Sequence, residues 1–144
     1  MNLSQLGLNA VLALNVLWFG AGAVYFGVQH HAAAKLLVPR EDRGNPLFAT
    51  LAASVRFLGG LNLAFAALSA VMLFGPALFP EDRQVAALAG VLALAHGSQF
   101  AANVPVALQS GALWPVLSGR MGFIFCMDIA LMLANAAVAV SRVL

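Results

Sequence analysis

Three ionisable side chains stand inside long apolar tracts: Arg56 in SVRFLGGLN, His96 in LAHGSQFAAN and Asp128 in FCMDIALMLAN. An arginine can hold an anion, an imidazole can donate or accept a proton, and a carboxylate can orient either. A charge in apolar surroundings is costly unless a partner answers it, so the three are expected to meet. Other polar residues extend the pattern. His96, Gln99 and Asn103 are spaced three and four apart and share one face of a helix. Asp128 and Asn135 share a face seven residues apart, and Asn15, Trp18, Gly22, Tyr25 and Gln29 follow a helical spacing near the amino terminus. The chemistry this suggests is recognition of an anionic or polar group on a lipid-like molecule. Arg56 would hold the anion, Asp128 would orient Arg56, and His96 with Gln99 would add directional hydrogen bonds. Asn103, Trp18 and Tyr25 complete the candidate binding set. If the protein is instead an enzyme, His96 is the general acid or base and Asp128 orients it.

The elements that must position these residues are membrane helices. The chain has 144 residues, of which 62% are hydrophobic and 8% charged, and its mean hydropathy is +0.94. A soluble domain carries about 25% charged residues, so the apolar excess must face lipid. Four apolar segments, 6–28, 47–74, 84–104 and 121–140, are each long enough to cross the hydrocarbon core, which takes about 20 residues. The alternation of a barrel strand is absent. The expected fold is all-α: a polytopic membrane protein, one four-transmembrane-helix bundle over residues 1–144. The amino-terminal segment has no Lys or Arg before its apolar run, and that run continues past the small residues that could mimic a cleavage site. It is read as the first membrane helix. Leu113 and Trp114 suggest a third connection lying at the membrane interface.

Depth brings the ionisable residues to one level. Arg56 lies nine positions after Leu47, roughly 13 Å along a helix axis. Asp128 lies seven positions after Met121, and His96 eight positions before Val104, where the third helix leaves on the same side. An Arg56–Asp128 pair with His96 beside it is expected. Arg56, Gly59, Gly60 and Leu63 should line one face of the second helix, with Asn62 pointing away. Small residues let helices approach closely in lipid. Gly7, Gly20, Gly22 and Gly27 offer contact surface for a homo-oligomer or a partner membrane subunit.

Lys35, Arg40, Arg43 and Arg120 fall on one side of the bundle, against Arg83 and Arg142 on the other. The excess of basic residues marks the inside, so loops 29–46 and 105–120 are expected in the cytoplasm and both termini outside. The basic residues are too scattered for a phosphate-backbone stripe, which argues against nucleic acid. No C-x-x-C, G-x-S-x-G, P-loop or H-E-x-x-H occurs. His30 and His31 are adjacent, diverge by about 100° on a helix, and should not chelate. No metal or cofactor is expected. Haem with His96 as axial ligand is the alternative weighed, against which only one histidine lies at depth.

The stretch SVRFLGGLNLAFAAL, an arginine followed by a glycine pair in the second helix, resembles a group of small bacterial four-helix membrane proteins classed as a domain of unknown function. Asp128 fits the acid that this group carries in its last helix, whereas HGSQFAAN departs from the group's pattern. The resemblance implies a four-helix fold in a bacterial inner membrane and no defined activity. Three classes of function follow from the residues. The first is a module that binds or transports a lipid-like or small amphiphilic molecule. The second is an accessory or structural subunit of a membrane complex. The third is a membrane enzyme acting on a hydrophobic substrate through His96 and Asp128.

Overall fold

The computed structural model describes residues 3–109 and 114–144. Each apolar segment is helical, as it must be where no water can bond an open backbone, and no strand occurs among the described residues. Helix α1 (Leu3–Gly22) continues through a π-helical turn (Ala23–Val28) and is followed by the short α2 (His30–Leu37). Next come α3 (Leu47–Ser54), α4 (Arg56–Phe74), α5 (Asp82–Leu108) and α6 (Gly119–Ser141). Four spans result, Ser4–Val28, Leu47–Phe74, Asp82–Leu108 and Gly119–Ser141, with mean hydropathies of 1.8, 2.0, 1.5 and 2.2. The chain is an all-α four-helix bundle of membrane type. Helix α1 packs most extensively on α4, and α5 on α6. Leu12, Phe19, Ala66 and Leu92 lie in the core, while Leu17, Phe57, Leu63 and Leu94 face outward, as a lipid-facing exterior allows.

The third and fourth spans run slightly beyond their expected limits. Helix α5 starts at Asp82 because Glu81 and Gln84 form a capping box. It passes Pro105 and stops four residues beyond the expected end, since a proline that near the end removes only one late helical bond. Helix α6 begins at Gly119, whose φ of 55° suits a residue without Cβ.

The second span is not one continuous helix. Ser54 Oγ donates to the Thr50 carbonyl at 2.8 Å, a bond that tends to bend helices. The chain breaks at Val55, between α3 and α4, and Arg56 sits just after the break. Farther along, a Cβ on Gly59 would meet the Gly27 backbone, 2.5 Å from its Cα. A Cβ on Gly22 would come within 2.5 Å of Asn62 Oδ1. Gly22 and Gly27 are therefore spent on packing α1 against α4 within the chain, not on an outside partner. Gly7, Gly20 and Gly60 have open space where a Cβ would stand.

Two further contacts shape the ends of the bundle. Arg43 donates to the carbonyls of Lys35 (2.7 Å) and Val38 (3.1 Å) at the end of α2, where a cation suits the exposed carbonyls. At the opposite end Arg142 donates to Asp82 (2.7 Å) and Gln5 (3.2 Å), joining the tail to α5 and α1.

Candidate functional site

At the centre of the bundle, helices α1, α5 and α6 meet through a closed set of hydrogen bonds. His96 Nδ1 lies 3.2 Å from Asp128 Oδ1, and His96 Nε2 lies 3.0 Å from Asn15 Oδ1. Asn15 and Asn135 bond reciprocally through their amides at 2.8 and 3.1 Å. Asn135 Nδ2 also donates to the Leu131 carbonyl at 2.8 Å. Trp18 Nε1 donates to Asp128 Oδ1 at 3.1 Å, and Phe19 stacks on the imidazole with centroids 4.4 Å apart. Asn15, His96 and Asp128 are 0% exposed and Asn135 is 1% exposed.

The bond pattern assigns the protons. A backbone carbonyl can only accept, so Leu131 fixes the direction of the Asn135 amide. Asn15 Oδ1 is then an acceptor, and the His96 Nε2 facing it must carry hydrogen. That leaves one proton between Nδ1 and Asp128 Oδ1. Either an imidazolium donates to a carboxylate, or a carboxyl donates to a neutral ring. The pair is neutral in total in both forms, which suits complete burial. Both ring nitrogens are engaged, so an axial ligand role at His96 would require giving up one bond. Asp128 Oδ2 is buried without a hydrogen-bond partner among the described residues.

Arg56 is not part of this network. The expected pair with Asp128 does not form: Arg56 is exposed, and among the described residues it has no ion pair or hydrogen bond. Equal depth does not fix direction around the helix axis. The buried stripe of this span is Ala52, Val55, Gly59, Asn62, Ala66 and Ser69, and one residue past Val55 turns Arg56 about 100° off it. Asn62, expected to point away, lies on the stripe and donates to the Leu58 carbonyl at 2.7 Å.

Beside the network is a cavity of about 600 Å³. Its wall includes Trp18, Ala21, Phe26, Phe123 and Ile124, with Tyr25, Gln29, Asn62, Gln99 and Arg120 as polar groups. Of the residues singled out in the sequence, Trp18, Tyr25 and Gln99 thus share one cavity. His96 and Asp128 lie outside its lining, and Trp18 links the two regions. Asn103 serves another purpose. It accepts from Trp114 Nε1 at 3.0 Å and donates to the Gln99 carbonyl at 2.9 Å, which anchors the chain after α5. Leu113 lies outside the described residues. A second recess of about 360 Å³ shares Leu36 and Arg120 with the first and adds Lys35, Arg43 and Trp114.

Asn15, Asn135 and Arg120 belong to these two regions although they stand outside the candidate set drawn from the sequence. The signal for Asn15 was its place three residues before Trp18 on one helix face. In the sequence Arg120 signals only the side of the membrane on which its loop lies. His30 and His31 both belong to the first turn of α2, yet their rings lie 4.6 Å apart, closer than the spacing suggests. Among the described residues no group of three His, Cys, Asp or Glu side chains could hold a metal ion. Fold and site together define a polytopic membrane protein with a cavity between its helices. No protein-family model matches the chain, and no curated protein or solved structure matches it either.

Proposed function

We propose that this protein binds a lipid-like or small amphiphilic molecule in the cavity between its helices. The observation that supports this is the cavity itself: about 600 Å³, walled by aromatic and aliphatic side chains with a few polar groups among them. Small-molecule sites share that size and make-up, at roughly 300–1,000 Å³. Val24, Tyr25 and Phe26 reach the cavity from the π-helical turn, a distortion frequently found at functional sites. Val24, Phe123 and Arg120 are exposed lining residues, so a ligand has a route in from the side. The excess of Lys35, Arg40, Arg43 and Arg120 supports a cytoplasmic side for this end and an outer side for both termini, in the bacterial inner membrane that the family resemblance implies.

The test is native mass spectrometry with lipid extraction on gently solubilised protein, wild type beside Ala21→Phe. A phenyl ring at Ala21 occupies part of the cavity. A small molecule should co-purify with the wild type and be lost from a variant that keeps its helical content. The same adduct on both proteins would overturn the assignment to this cavity.

A second reading, as subunit of a membrane complex, is favoured by Arg56. It projects beside exposed Phe57 and Leu58 within a membrane span, where a guanidinium without a partner is costly. The acid at comparable depth, Asp128, is buried in its own bundle, so a second copy cannot answer Arg56 there, whereas an acid on a different membrane subunit could. A co-purifying chain released by Arg56→Gln would support this reading. An unchanged composition in that variant would count against it.

A further inference from the structure

The larger cavity does not end at Arg120. Arg120 and Leu36 belong equally to the second recess, which lies among α2, the loop after it and the start of α6. The two spaces differ in chemistry. The larger is mostly apolar, while the smaller gathers Lys35, Arg43 and Arg120. Among the described residues none of these three cations forms an ion pair. Arg43 is partly occupied by the carbonyls of Lys35 and Val38, which hold its guanidinium in place. Among the described residues the side chains of Lys35 and Arg120 also have no hydrogen-bond partner. The nearest acids in sequence, Glu41 and Asp42, are exposed and line neither space.

We infer that the recess formed by Lys35, Arg43 and Arg120 holds the phosphate monoester headgroup of an amphiphile whose hydrocarbon chain occupies the larger cavity. This rests on the amphiphile reading above and adds the class of headgroup. Three cations without an acid exceed what one carboxylate neutralises. A phosphate monoester carries about −1.5 to −2 at neutral pH and several acceptor oxygens, which suits two guanidinium forks and an ammonium. The junction at Arg120 and Leu36 sets a cation and an aliphatic side chain where headgroup and chain of one molecule would join. The recess also lies at the end of the bundle richest in basic residues, where a headgroup would sit at the membrane surface.

The chain carries two tryptophans, and each space has one. Trp18 lines the larger cavity and Trp114 the recess. The experiment uses protein in phosphatidylcholine nanodiscs and reads intrinsic fluorescence of Trp114→Phe, which reports on Trp18, and of Trp18→Phe, which reports on Trp114. Dodecyl phosphate, dodecyl glucoside and inorganic phosphate are titrated separately. Dodecyl phosphate should perturb both tryptophans over one concentration range. Lys35→Gln and Arg120→Gln should each raise its midpoint roughly tenfold. Dodecyl glucoside should move Trp18 alone, with a midpoint indifferent to both substitutions. Equal midpoints for the two alkyl compounds, unchanged in Arg120→Gln, would remove the phosphate site and leave the amphiphile cavity standing. Inorganic phosphate acting on Trp114 at the dodecyl phosphate midpoint would make the recess a free-anion site and overturn the proposal. No response to either alkyl compound would defeat the amphiphile reading as well. If Trp18→Phe fails to fold, native mass spectrometry of the wild type, Lys35→Gln and Arg120→Gln reads the same three titrations.

Discussion

Two polar regions of this molecule invite comparison. At the bundle centre, Asn15, His96, Asp128 and Asn135 are buried and bond one another across three helices. At the end holding α2 and the start of α6, Lys35 and Arg120 are exposed and their side chains have no partner among the described residues, beside two adjoining cavities. The first region satisfies nearly all its polar atoms internally and has little left for a ligand. The second leaves its cations unanswered and provides room beside them. Polar groups deep in a membrane bundle first answer the desolvation that their own helices impose. Recognition is better served where hydrogen-bonding capacity remains unused.

Substitutions can sharpen or break this contrast. The largest effect is expected from Asp128→Ala, which strands His96 Nδ1 and the Trp18 indole N–H. Removing one partner of a buried pair costs about 3–5 kcal/mol in soluble proteins, so a thermal melt in detergent should show a large loss of stability. A variant that stayed stable but lost ligand would move the binding function to the centre. Next is Gly59→Ala, whose new methyl meets the Gly27 backbone. Overpacking of this kind costs about 1–3 kcal/mol. Gly60→Ala, with open space at its Cβ, should melt like the wild type, and equal melting of the two would refute the close approach of α1 and α4.

Smaller effects follow. Asn15→Ala removes the acceptor of His96 Nε2 and one half of the amide pair. A loss of about 0.6–2 kcal/mol is expected, the span of values for hydrogen bonds between membrane helices, readable by unfolding in mixed micelles. The smallest change should come from Arg56→Gln. An exposed residue without a partner among the described residues should leave the isolated protein within about 0.5 kcal/mol of wild type. Unfolding of that variant would mean that Arg56 belongs with the central network after all.

Most of the fold was legible in the sequence. Long apolar runs bounded by Pro, Gly and charge clusters announce membrane helices because hydrocarbon leaves the backbone no other way to bond. The nearness of His96 to Asp128 was also legible from their common depth, although the pair expected there was Arg56 with Asp128. The error at Arg56 arose from treating depth as if it fixed direction. A better guide was present in Val55, Gly59, Asn62, Ala66 and Ser69, a largely small or polar stripe at helical spacing flanked by Phe57, Leu58, Leu61 and Leu63. In lipid, small and polar residues mark the interior and large apolar ones the exterior. Arg56 lies off that stripe.

The sequence by itself determined the number of spans, their antiparallel succession and the depth of each polar group. These depend on local hydropathy and on the fixed rise of a helix. Tertiary structure alone decided how each helix is rotated and where two helices separate enough to leave a cavity. Rotation about an axis is settled by contacts among distant residues, such as Gly27 against Gly59 and Asn15 against Asn135. The π-helical turn at Ala23–Val28 then shifted the direction of the residues that follow it, whereas the buried stripe of the second span passes Val55 at unbroken helical spacing. The joining of Trp18, Gln99 and Arg120 in one cavity exists only after those rotations are set.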